Sequence, residues 1–138
     1  MLLPFLAKSQ ESLLSKEIYF AKSEALALGF ELVQEDTVET DFNTHLVIPA
    51  DVLLNEYIFY WVLFTNECSS CNIQMNYWNS NSSKHYALKA TISESDSIQR
   101  LEYTFEKKDD IDITLEAFVE HNEKTILYSI LCKKKVLE

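Results

Sequence analysis

Cys68 and Cys71, in the stretch ECSSC, have the spacing of a dithiol redox pair or of half a zinc site. A redox pair of the thioredoxin kind needs a helix after it to depress the thiol pKa. The residues that follow, NIQMNYW, alternate like a strand instead, and neither Pro4 nor Pro49 is placed to act as that fold's cis-proline. A closed zinc site needs four ligands, so Cys132 and one of His45, His85 or His121 would have to arrive from distant strands. The simplest reading of ECSSC is a polar hairpin loop holding two reduced thiols, with no metal and no cofactor.

The three histidines are scattered, and a Cys-His pair or a Ser-His-acid triad could be composed from these residue types without any sign in the sequence that one set meets in space. Twenty-two acids supply carboxylate pairs at will, so their number selects no chemistry. Their placement says more. On a strand whose apolar face is Ile111, Ile113, Leu115, Ala117 and Val119, the other face carries Asp112, Thr114, Glu116, Phe118 and Glu120, because side chains alternate at period two. The preceding run carries Arg100, Glu102, Thr104 and Glu106 opposite Leu101, Tyr103 and Phe105. Read as neighbours, the two strands predict one acidic face with Phe118 as an exposed aromatic in its middle. Glu102, Glu106, Asp112, Glu116, Phe118 and Glu120 are therefore the candidate partner-binding residues. A second acidic group, Glu31, Glu35, Asp36, Glu39 and Asp41, has no basic residue within it.

These residues need a scaffold, and its centre is the apolar block Tyr57 to Phe64 in EYIFYWVLFTNE. A helix crossing a bilayer takes about 20 apolar residues, so the block is too short to span one. Its aromatic and β-branched composition suits a strand covered on both faces. From Ser9 to Leu28 the positions Leu14, Ile18, Ala21, Ala25 and Leu28 recur at helical spacing, flanked by Leu13, Phe20 and Leu26. Ser9 is placed to cap this helix, Glu11 lies in its first turn, and Gly29, the chain's only glycine, suits a left-handed C-cap followed by Phe30. Period-two runs follow at Phe30 to Ile48, Ile73 to Tyr77, Tyr86 to Ile92, Leu101 to Phe105, Ile111 to Val119 and Thr125 to Cys132. A short helical turn is expected between Pro49 and Asn55. The expected fold class is α+β: a single domain over residues 1–138, with an N-terminal amphipathic helix packed on a curved, mostly antiparallel sheet of about six strands. The tail KKKVLE is expected to end the last strand and blunt an edge.

The 138 residues carry a formal charge of −10 and a single arginine, Arg100. That balance argues against nucleic-acid binding, which draws its affinity from Lys and Arg on phosphates. One glycine leaves no material for a P-loop or a dinucleotide fingerprint. The start MLLPFLAKSQ lacks the basic and apolar regions of a signal peptide, and three cysteines make no disulfide framework, so a cytoplasmic protein with no membrane partner is expected.

Small size, acidity and the lack of a cofactor motif point to a noncatalytic binder of a basic protein. Its most concrete form is an immunity or inhibitor protein that occludes the site of a toxin, with a nuclease among the candidates. Alternate carboxylates about 6.6 to 7 Å apart on a strand approach the phosphate spacing of a nucleic acid, which suits a basic cleft. A secretion chaperone for an effector protein is the alternative. Here the chain is similar only in general properties to a class of small acidic α/β dimers, and the amphipathic C-terminal helix usual in that class is not visible. A small-molecule site or enzyme pocket between helix and sheet is the third reading.

Overall fold

A computed structural model describes residues 3–40, 43–66, 72–79, 84–88, 91–95, 98–107, 113–120 and 125–136. The chain begins with a helix, α1 (Leu3–Ala27), and continues with β1 (Glu31–Thr40), β2 (Asn43–Ile48), a 3-10 turn (Ala50–Val52), β3 (Tyr57–Asn66) and β4 (Asn72–Asn79). It closes with β5 (Lys84–Ala87), β6 (Thr91–Ser95), β7 (Ile98–Glu106), β8 (Ile113–Glu120) and β9 (Thr125–Lys135). Among the described residues the nine strands form two sheets, one five-stranded in the order β1-β9-β3-β7-β6 and one four-stranded in the order β2-β8-β4-β5. Every pairing is antiparallel. The class is α+β as expected, but there are two sheets rather than one curved sheet of about six strands.

β3 is the central strand of the larger sheet, and it is the apolar block singled out in the sequence. Phe59, Trp61 and Leu63 point to one side, Val62 and Phe64 to the other, and all five are fully buried. The first side joins Ile48, Met75, Leu115, Ala117 and Val119 of the smaller sheet, together with Leu53, Leu101, Leu127 and Leu131, in the core between the two sheets. Within it the Trp61 indole donates to the hydroxyl of Ser129 at 2.9 Å, which satisfies its buried N–H. The second side joins Leu14, Ala21 and Ala25 of the helix with Ile98, Ile130 and Cys132. The molecule is thus layered helix, five-stranded sheet, four-stranded sheet. The helix lies outside the sandwich, and the sheet does not curl around it, because each sheet buries its inner face against the other.

Helix α1 starts earlier than its expected cap: it already runs from Leu3, so Ser9 and Glu11 stand within it. Pro4 falls in the first turn, where proline costs no helical hydrogen bond. The other end behaves as read. Gly29 has φ +90°, its N–H donates to Leu26 O at 3.0 Å and that of Phe30 to Ala25 O at 2.9 Å, which together make a Schellman closure. Lys134 adds an ammonium group to Leu28 O at 3.0 Å, a cation at the negative end of the helix. Leu14, Ala21 and Ala25 are buried and Ile18 half-buried, while Phe20, Leu26 and Leu28 are exposed, so the apolar stripe is narrower than the sequence suggested.

Two further expectations are corrected. Tyr86 to Ile92 is not one strand: β5 belongs to the smaller sheet and β6 to the larger, with Leu88 N–H donating to Met75 O at 2.8 Å before the crossing. The tail ends the last strand at Lys135 as expected, but β9 is an interior strand: Lys133 is paired with both Glu31 and Phe59, and only Lys134 and Lys135 run past β1. The expected turn after Pro49 is present as the 3-10 segment.

Candidate functional site

The expected acidic face across two neighbouring strands does not form. β7 pairs with β3 and β6 in the five-stranded sheet, whereas β8 pairs with β2 and β4 in the four-stranded one. The strands follow one another in sequence, but each buries its apolar side in the shared core from an opposite sheet, so their polar sides face away from each other. Lys107, at the end of β7, is itself buried and donates to Leu53 O at 2.8 Å. Glu102 and Glu106 therefore lie on the helix side of the molecule, and Glu116, Phe118 and Glu120 on the other. Asp112 falls outside the described residues.

Glu102 is not a free charge. It accepts the Tyr60 hydroxyl at 2.5 Å and Arg100 at 3.1 Å, and Arg100 also donates to the Tyr60 oxygen at 2.7 Å. Burial, and after it the hydrogen bond to Glu102, pushes the Tyr60 phenol well above its ordinary pKa. Burial opposes the charge on Arg100, yet Tyr60 and Glu102 outweigh it and hold the guanidinium pKa up. Glu106, by contrast, is exposed.

The second acidic group is also relieved by cations that its own segment lacks. Glu35 meets Lys22 of the helix at 2.5 Å and accepts the Tyr128 hydroxyl; hydrogen bonding to Lys22, then to Tyr128, holds its carboxyl below the ordinary value. Glu31 lies 3.6 Å from Lys133, whose ammonium also sits 4.7 Å from the Tyr57 ring. Asp36 points to the opposite face from Glu35 and accepts a hydrogen bond from Gln34 at 2.8 Å.

What is left is the outward face of the four-stranded sheet, which no other described element covers. In one row β2, β8 and β4 bring His45, Phe118 and Gln74 side by side; in the next they bring Val47, Glu116 and Asn76. The His45 ring stacks on Phe118 with centroids 4.3 Å apart and planes 8° from parallel, and its Nε2 lies 3.5 Å from Glu116 Oε1. Phe118 is half-buried under this stack and Glu116 is 7% exposed, whereas Glu120 and Val47 are open to solvent. Trp78 and Thr114 form a further row.

Cys132 is buried beneath the helix, and His45 stands on the far side of the other sheet, so these two expected zinc partners are layers apart. Cys68, Cys71 and His121 fall outside the described residues. Among the described residues no cluster of three or more His, Cys, Asp or Glu could hold a metal ion, and no helix is long and apolar enough to cross a membrane. Between helix and sheet, where a ligand pocket was one expectation, the described residues Leu14, Ala21 and Ala25 pack against Val62, Phe64, Ile130 and Cys132.

The His45–Phe118 stack and both tyrosine–carboxylate clusters were missed in the sequence. Their members lie far apart in the chain, Tyr60 and Glu102 by 42 residues and Glu35 and Tyr128 by 93. The one local signal was parity, which sets Arg100 and Glu102 on the same side of one strand.

No family model and no curated protein matches the chain. Among solved structures it is similar to the CBM22-1 and GH10 modules of Clostridium thermocellum endo-1,4-beta-D-xylanase 10B, complexed with xylohexaose. The likeness has a TM-score of 0.49 and 10% identity, over 80% of this chain and 29% of that one. A likeness at that level carries no argument about activity or ligand.

Proposed function

We propose that this protein is a noncatalytic binding module that presents the outward face of its four-stranded sheet to a basic protein, in the way an inhibitor or immunity protein occludes a toxin. The observation that supports this reading is an uncovered face on which a carboxylate and aromatic rings stand together: Glu120 is open to solvent at the end of β8, and one row away the His45 ring lies on Phe118. Such a face supplies what recognition of a basic surface needs: carboxylates that speed encounter, and apolar rings that slow release once desolvated.

The test is capture of partners from the native cells at low salt, using the wild-type protein, a Phe118→Ala/Glu120→Lys variant, and a Glu106→Lys control on the opposite side of the molecule. The expected result is a folded basic protein held by the wild type and the control, lost by the face variant and released by salt. Retention by the face variant would reject this surface. An unfolded secreted segment in place of a folded partner would favour the chaperone reading instead.

A further inference from the structure

We propose that the Leu14–Ala27 stretch of α1 opens from the five-stranded sheet while the two-sheet sandwich stays folded, and that the contact of Lys22 with Glu35 is the latch that sets how often it does so. Three observations carry this. Among the described residues, the core between the sheets draws on strands and on the segment around the 3-10 turn and on none of Leu14 to Ala27, so the sandwich keeps that core when this stretch leaves. The helix itself, between Leu14 and Ala27, buries one large side chain, Leu14, with two alanines and a half-buried Ile18. Tyr19, Phe20 and Leu26 point to solvent at 68%, 58% and 73% exposure. A helical stretch that hides so little of its own apolar surface separates at lower cost than the sheets beneath it.

Among the described side chains, two ion pairs cross from helix to sheet, and they are unequal. Glu24 reaches Arg100 at 3.5 Å from a side chain that is 69% exposed, a geometry worth little in water. Lys22 meets Glu35 at 2.5 Å, and that carboxylate is already oriented by the Tyr128 hydroxyl. At the other end the Schellman closure at Gly29 ends the helix and the bond from Lys134 to Leu28 O ties that end to β9, which makes residues 28–30 the natural pivot. Opening about that pivot uncovers Val62, Phe64, Ile130 and the Cys132 thiol, which are sealed in the closed state.

Cys132 is therefore a built-in reporter. In full-length protein carrying Cys68→Ser and Cys71→Ser, it is the only thiol, and its reaction with an aromatic disulfide reagent reads the open fraction. Urea unfolding, followed in parallel, reads the stability of the whole. Lys22→Met is expected to raise the labelling rate roughly fivefold, the effect of losing a charge-assisted hydrogen bond worth about 1 kcal/mol. Val119→Ala, which thins the core between the sheets without touching the helix, is expected to lower the urea midpoint and leave the labelling rate unchanged. Labelling that accelerates in Val119→Ala in step with the lost stability would mean that Cys132 is reached only by global unfolding, and would overturn the proposal. An unchanged rate in Lys22→Met would overturn the role of the latch.

Discussion

The two sheets share one core but treat their outward faces in opposite ways. Against the five-stranded sheet the helix lies over Val62, Phe64 and Ile130, and acids on that side that touch the helix or its rim, Glu35 and Glu102, are tied to a tyrosine and a cation. Against the four-stranded sheet no described element lies, and its acids stand among amides and a His45–Phe118 stack. The difference teaches that acidity counted along a sequence is not charge offered to a partner. A carboxylate that accepts a phenol and a guanidinium is a structural group, whereas an exposed one such as Glu120 keeps its charge at the surface.

The change expected to break both faces together is Trp61→Ala. Trp61 is fully buried in the core that the sheets share, and its N–H satisfies Ser129, so truncation leaves a cavity and an unpaired hydroxyl. A loss of about 3 to 5 kcal/mol is expected in urea unfolding, enough to remove the distinction between the faces along with the fold. Retained stability would show that the central strand is not the keystone the layering implies.

A smaller effect separates the faces by pH. Glu35 has its pKa held below the ordinary 4.5 by Lys22 and Tyr128, so the stability it contributes is present above that value and is lost as the pH falls through the lowered one. Tyr128 runs the other way. Burial, then its hydrogen bond to Glu35, raises its pKa above the ordinary 10, so its contribution is complete below pH 10 and is lost as the pH climbs beyond it. Glu35→Gln should therefore flatten the acid limb of the stability profile, and Tyr128→Phe the alkaline limb. An acid limb as steep in Glu35→Gln as in the wild type would mean that the helix-side cluster carries no pH-dependent stability.

The sequence made some of this legible and hid the rest for physical reasons. The block Tyr57 to Phe64 could be read as a central strand because a strand covered on both faces loses its alternation, and Gly29 because a left-handed C-cap all but requires glycine. Strand pairing was hidden because Leu101, Tyr103 and Phe105 alternate identically whether their sheet partner is the next strand in the chain or, as it is, β3. The same ambiguity merged Glu102 and Glu106 with Glu116 and Glu120 into one acidic face. Three of the six candidate residues, Glu116, Phe118 and Glu120, do share a face; what marks it, the His45 ring lying on Phe118, arises from a pairing across the whole middle of the chain.

The smallest effect is the one that most sharpens the comparison. Glu120 ends β8 on the open face, exposed, and its row contains only the asparagines at the ends of β2 and β4. A surface residue so placed is expected to move stability by no more than about 0.5 kcal/mol on replacement, so Glu120→Lys should unfold at nearly the wild-type urea concentration. The fold then has no use for this charge, in contrast to Glu35, and any binding lost on reversing it is lost for want of recognition rather than for want of structure. A marked destabilisation would place Glu120 among the structural acids, and the open face would be left with Glu116 alone, a carboxylate already turned toward His45.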